Sequence, residues 1–416
     1  QEPAGLAGAR AGVSIGRRPF PVKKKLTCIV GTRPEVIKMA PVIRALRDSG
    51  QFDVEVLGSG QHRDMLRPLL DWFELKLDRD LDVMTNNQSL GELTARLMQA
   101  FDRCFGEACP DLVFAQGDTT TVMCAALACF YRGIAFAHVE AGLRTFDIKN
   151  PFPEEFNRVA VTRLAQLNFC PTERARANVI AEHAATAGAH LTGNTVIDAP
   201  QFTIDKLKRA PARRFDHDIL LTAHRRENFG APLVNICNAV LDLCRDFPGS
   251  KVLYSVHPNP NVRDTVRPLL GNHPQIELVD PLPYPELVAA MQQARLILTD
   301  SGGIQEEAPS LGVPVLVLRE ETERPEGVEA GVARLVGTDP ARIVAERDES
   351  PLPRAALHAG DANTHDVALR DTVGLRRAVA HQGFAQQGLE VLDTATGLYA
   401  PRGIEQAECM QIGRAH

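Results

Sequence analysis

The chain has 416 residues, with 46 Lys and Arg against 52 Asp and Glu and a formal charge of -6. That balance leaves no basic footprint for nucleic acid or an anionic membrane, and no stretch holds the roughly 18 to 20 apolar residues of a membrane span. The length calls for two domains. Nine scattered cysteines, with no C-x-x-C pair and no His/Cys cluster, read as reduced core residues of a cytoplasmic protein rather than a metal or redox site.

Residues 1–22 are rich in Ala, Gly and Arg, lack the apolar core of a secretory signal, and read as a disordered leader. The first residue is not Met, which fits a fragment or an open-ended reading frame. From Lys25 onward short apolar runs alternate with amphipathic stretches, the pattern of βαβ units on a parallel sheet. Leu26 to Val30 is a strand ending in Gly31-Thr32-Arg33-Pro34-Glu35, and Pro34 suits the start of a helix through Ile37, Ala40, Ile43 and Leu46. Arg33 and Lys38 then stand near a helix amino end at the strand's carboxyl edge, a natural seat for phosphate, with ordinary solvated charges as the alternative.

Asp53 to Leu57 is a second strand, leading through Gly58 to Met65 into a helix. Ser89 with Glu92 spells a capping box for a helix running to about Phe105. The strand Leu112 to Ala115 stops at Gln116-Gly117-Asp118-Thr119, where Asp118 suits either a helix N-cap or a catalytic carboxylate. Ile134 to Val139 is a buried strand. It opens into a loop that gathers Glu140, Arg144, Asp147, Glu154, Glu155 and Arg158, where open α/β sheets bind ligands. A salt-bridged surface loop is the competing reading. A helix through Val159 and Leu164, a strand at Leu167 to Cys170, and a strand with a crossing loop over His190 to Ile197 complete this half.

Polar, basic Gln201 to His217 reads as a linker edge, dividing a domain at 23–197 from one at 198–349. Strands follow at Ile219–Thr222, Val252–Val256, Ile276–Val279, Leu296–Thr299 and Val313–Leu318, with helices over Leu233–Leu243 and Tyr284–Ala294. Their ends run into His224 to Asn228, His257-Pro258, Asp280 to Pro283 and Asp300-Ser301-Gly302-Gly303. Glycines there admit a ligand close to the backbone, and a following helix offers free amides to a diphosphate. Both halves are doubly wound parallel sheets, and two such sheets make a cleft at the domain boundary.

Seven motifs in order, GTRPE (Gly31 to Glu35), QHRDM (Gln61 to Met65), QGDT (Gln116 to Thr119), EAGLRT (Glu140 to Thr145), EEFNR (Glu154 to Arg158), HRREN (His224 to Asn228) and DSGG (Asp300 to Gly303), resemble the non-hydrolysing UDP-N-acetylglucosamine 2-epimerases from about Lys25 to Val344. The resemblance implies a GT-B architecture, two Rossmann-like domains around a cleft, and a homodimer. It implies interconversion of UDP-N-acetylglucosamine and UDP-N-acetylmannosamine by elimination of UDP to 2-acetamidoglucal and re-addition from the other face. That chemistry requires a base, an acid on the opposite face and charge stabilisation on the diphosphate, and it needs no cofactor and no metal.

By the same resemblance Asp118, Glu140 and Glu154 are the proton-transfer carboxylates, with base and acid unassigned, and His224 is the essential histidine. Arg33, Lys38, Arg158, Ser301, Gly302, Gly303 and Glu307 hold the UDP-sugar, with Glu307 on the ribose. Gln61, His62, Arg63 and His257 match a second site at which the substrate activates the enzyme. A hydrolysing 2-epimerase, a GT-B glycosyltransferase and a non-catalytic sugar-nucleotide sensor are the alternatives. Residues 350–416 lose the family pattern. The final Gln411 to His416 back-translates into the start of a common sequencing adapter, so a frameshift or assembly artefact is expected in that tail.

Overall fold

The computed structural model describes residues 23–60, 63–85, 88–182, 188–209, 213–322 and 324–348. The expectations for the leader, for Gln61 and His62, and for the 350–416 tail lie outside the described residues. Two parallel sheets organise what is described. The first has seven strands, β1 (Lys24–Val30), β2 (Phe52–Gly58), β3 (Arg79–Asp80), β4 (Leu112–Gln116), β5 (Ala135–Val139), β6 (Leu167–Cys170) and β7 (Ala189–Leu191), in the order β3-β2-β1-β4-β5-β6-β7. The second has six, β8 (Ile219–Thr222), β9 (Val252–Ser255), β10 (Ile276–Val279), β11 (Leu296–Thr299), β12 (Val315–Val317) and β13 (Ala333–Leu335), in the order β10-β9-β8-β11-β12-β13. This is the GT-B arrangement of two Rossmann-like sheets, and the central strands are apolar along their length because helices cover both faces.

The order of the first sheet reverses between β1 and β4, the switch point at which crevices open in such folds. Register then fixes the neighbours. Gln116 pairs with Val139 across β4 and β5, so Gly117, Asp118 and Glu140 emerge side by side. Glu140 leaves β5 with φ +64, a left-handed backbone that non-glycine residues seldom adopt.

The expected polar linker is instead helical over its first part. Gln201 to Leu207 closes the helix Thr195–Leu207, and the 197/198 boundary falls inside it. Basic spelling disguised a packed segment: Thr203 and Ile204 are buried, while Lys206 lays its ammonium over the Trp72 ring at 4.8 Å and donates to Glu74 Oε1 at 2.7 Å. Phe202 of this helix stacks on Phe73 of the first domain at 5.6 Å, and Phe73 lies 5.7 Å from Tyr284 of the second. One apolar core, running from Leu26 and Phe114 to Leu220 and Ile297, therefore continues through the helix from sheet to sheet. Among the described residues no helix is long and apolar enough to cross a membrane.

Candidate active site

The helix Arg33–Asp48 begins with a capping box. Thr32 caps Glu35 N, and Glu35 Oε2 accepts the amides of Gly31 and Thr32 at 2.7 and 2.8 Å. The other oxygen of buried Glu35 accepts Thr119 Oγ1 at 2.8 Å, tying this loop to the turn after β4. Burial pushes the Glu35 carboxyl upward against those hydrogen bonds. Thr119, not Asp118, caps the helix Thr120–Arg132 by accepting Val122 N, so the Asp118 carboxylate is not used for capping.

A cavity of about 930 Å³ opens between the domains, with Lys38, Asp118, Glu140, Glu154 and Arg158 on its first-domain wall and Arg225, Arg319 and Arg324 on the facing wall. Glu140 is buried and held by several donors. Lys38 Nζ reaches its two oxygens at 2.6 and 2.7 Å, Gln116 Nε2 donates to Oε2, and Asn194 Nδ2 donates to Oε1 at 3.2 Å. Burial raises this carboxyl, but Lys38, Arg324 and the hydrogen bonds outweigh it and hold the group below the usual carboxylate range.

Asp118 is biased the other way. Its Oδ2 lies 2.6 Å from Arg158 NH2, yet burial, helped by the charges of Glu140 and Glu154, keeps its carboxyl above the usual range. The helix Glu154–Leu164 organises this side. Glu155 Oε1 accepts the amides of Thr145 and Phe146 at 3.0 Å each, and Asn157 Nδ2 holds the Asp118 carbonyl at 2.9 Å. Beneath them buried His138 donates Nε2–H to the Gly117 carbonyl at 2.7 Å, and burial drives its ring down to about 4, so it stays neutral. Two carboxylates with opposed proton affinities in one cavity are the ingredients of acid–base chemistry.

The second sheet presents a different edge. Fully buried Asp300 accepts the amides of His224 and Arg225 at 2.9 and 2.8 Å and Asn228 Nδ2 at 2.9 Å, all on Oδ2, while His224 Nδ1 lies 3.4 Å from Oδ1. The His224 and His257 rings stack with centroids 5.5 Å apart. Ser301 precedes the helix Gly302–Ser310, whose Glu307 is buried with Oε2 unpaired among the described residues. Burial lifts Glu307 to about 8, against the pull of Lys38.

A family model for UDP-N-acetylglucosamine 2-epimerase matches residues 44–361. The chain belongs to the UDP-N-acetylglucosamine 2-epimerase family. The UDP-N-acetylglucosamine 2-epimerase of Escherichia coli strain K12 is 46% identical over 334 residues, which cover 77% of this chain and 89% of that relative. The chain is also similar to the crystal structure of the Neisseria meningitidis UDP-GlcNAc 2-epimerase bound to UDP-GlcNAc, with a TM-score of 0.75 and 38% identity over 90% of this chain and all of that one. The Staphylococcus aureus MnaA–UDP structure matches with a TM-score of 0.73 and 38% identity, over 90% and 97% of the two chains.

Within this 2-epimerase fold the residues expected to act together are not gathered in one place. Lys38, Asp118, Glu140, Glu154 and Arg158 share the large cavity. Arg33 faces a separate crease with Trp72, Pro281 and Tyr284. His224, Ser301, Gly302, Gly303 and Glu307 occupy the second sheet's edge, and His257, expected at an activator site, stacks on His224 there. Arg63 begins the helix Arg63–Trp72. Sequence reasoning missed Glu35, Gln116, Asn194, Glu306 and Arg324. Thr32 and Glu35 have capping-box spacing that marks Glu35 as a structural anchor, and Asn194 has the local mark of a helix N-cap, whereas the long-range pairings of Gln116, Asn194, Glu306 and Arg324 carry no local signal.

Proposed function

We propose that this chain is a non-hydrolysing UDP-N-acetylglucosamine 2-epimerase, interconverting UDP-N-acetylglucosamine and UDP-N-acetylmannosamine by loss and re-addition of UDP. The observation that carries the reading is the pairing, in one cavity, of Glu140 held ionised by Lys38 with Asp118 biased towards its protonated form. One carboxylate removes the C2 proton as the C1–oxygen bond to UDP breaks. The other delivers a proton to the opposite face of the resulting 2-acetamidoglucal, and UDP adds back at C1. The opposed biases favour Glu140 as base and Asp118 as acid in the forward direction, with the roles exchanged in reverse. Glu154 lines the same space, and Arg158, Arg225 and Arg319 supply positive charge for the diphosphate.

The solved relatives bound to UDP-GlcNAc and to UDP support UDP-N-acetylglucosamine as substrate. His224, Ser301, Gly302, Gly303 and Glu307 then hold the nucleotide from the second sheet. A glycosyltransferase would have no use for three carboxylates around one cavity, and hydrolytic release of free N-acetylmannosamine is not favoured by the relatives. A homodimer, activation by substrate involving His257, and a cytoplasmic location are parts of the same proposal. Free thiols at Cys28, Cys124 and Cys237 agree with the last.

Incubation with UDP-N-acetylglucosamine in deuterated water tests the reading. Deuterium at C2 together with UDP-N-acetylmannosamine is expected. Free N-acetylmannosamine as the first product would replace it with the hydrolysing reaction, and unlabelled substrate alone would remove the enzymatic reading for this chain.

A further inference from the structure

Asn194 sits where the two domains touch, and its side chain makes three contacts with separate purposes. Its Oδ1 accepts Val196 N at 3.1 Å and caps the helix Thr195–Leu207. Its Nδ2 carries two hydrogens, and they go to carboxylates of different domains: Glu140 Oε1 at 3.2 Å and Glu306 Oε2 at 2.5 Å. Glu306 belongs to the second domain's helix Gly302–Ser310, the helix that begins at the Ser-Gly-Gly turn, and it is ion-paired with Arg324. A continuous polar chain, Lys38–Glu140–Asn194–Glu306–Arg324, therefore runs from one wall of the cavity to the other.

Two buried carboxylates facing one another without a donor between them would repel and turn away. The Asn194 amide lies between them and donates to both. Because its carbonyl is fixed by the helix cap, its nitrogen cannot follow Glu306 if the second domain withdraws. The Asn194–Glu306 contact then breaks, and the amide that donates to Glu140 Oε1 keeps only the helix cap to hold its direction.

We infer that Asn194 is a positioning residue that couples the approach of the second domain to the alignment of the Glu140 carboxylate. Asn194 itself need not touch substrate. The consequence for catalysis is that proton transfer at Glu140 is competent when the helix Gly302–Ser310 is seated against Asn194. The inference rests on the epimerase reading.

Asn194→Ser separates the roles, because serine caps helices about as well as asparagine but cannot donate to both carboxylates. In full-length Asn194→Ser, kcat is expected to fall about 10- to 100-fold, the scale of a misoriented catalytic group. KM for UDP-N-acetylglucosamine should stay within about threefold, since only chemistry is affected. The melting temperature should be preserved, and the kinetic isotope effect with substrate deuterated at C2 should rise as proton transfer becomes limiting. A purely structural role would move the melting temperature and leave the isotope effect alone. Wild-type kcat in the variant, or a loss of kcat matched by a loss of thermal stability with an unchanged isotope effect, would overturn the inference. Wild-type protein that fails to epimerise would defeat the epimerase reading itself, so the two failures are distinguishable.

Discussion

The carboxyl edges of the two sheets carry similar residues and use them differently. At the first sheet charges are clamped: Lys38 on Glu140, Arg158 on Asp118, Arg144 on Glu182 at 2.7 Å. At the second sheet Asp300 spends its hydrogen bonds on backbone amides and Asn228, a glycine pair opens the helix Gly302–Ser310, and Glu307 keeps an oxygen unpaired among the described residues. One edge has its proton affinities set in advance, which suits bond making and breaking. The other offers shaped backbone and a buried carboxyl with an open oxygen, which suits recognition. Two α/β sheets of one kind can thus divide chemistry from binding without a change of fold.

The division breaks most sharply under substitution at the first edge. Glu140→Gln or Asp118→Asn should lower turnover by about two to four powers of ten, while calorimetric titration with UDP shows affinity within a few-fold of wild type. Unchanged turnover in either variant would return that carboxylate to a structural role. A smaller effect is expected at the second edge. A Cβ at Gly303 meets nothing closer than Glu307 Oε1 at 3.5 Å, so Gly303→Ala should fold normally. It should weaken UDP binding by about tenfold, roughly 1.4 kcal/mol, with kcat nearly retained; a loss confined to kcat would put chemistry at this edge too.

A further effect concerns Glu307 and pH. Its folded carboxyl is raised to about 8 by burial, so the folded state keeps a proton that an unfolded glutamate releases near pH 4.3. Stability is therefore complete below the unfolded value and falls as pH rises towards 8. Glu307→Gln cannot ionise, and its melting temperature should fall less than that of wild type across this window; parallel profiles would show that Glu307 is not buried and protonated as described.

Strand positions were legible in the sequence because buried parallel strands are short apolar runs closed by polar turns, as at Leu167–Cys170 and Leu296–Thr299, which the structure reproduces residue for residue. The capping box at Ser89 and Glu92 was equally plain. The two-residue β3 and three-residue β13 were not, since such lengths hold no periodicity. At the site, acidic and basic residues at strand ends could be listed, but not who holds whom. Glu140 finds Lys38 across 102 positions and Asn194 across 54, and no local pattern encodes such pairings. Lys206 shows the opposite failure, a charged residue whose stem packs on an aromatic ring.

The first sheet tapers at its rims, and the strands of the second are short throughout. The outermost strands β3, β7, β10 and β13 have two, three, four and three residues, so each margin exposes little unpaired backbone on which another chain could extend the sheet. Large apolar side chains that do face solvent include Phe130 and Tyr131 at one helix end and Phe146 and Phe152 on the loop after β5. Contact between copies of this chain is thereby steered to side-chain surfaces of finite extent, which can close and stop, and away from strand addition, which grows without limit into fibrils.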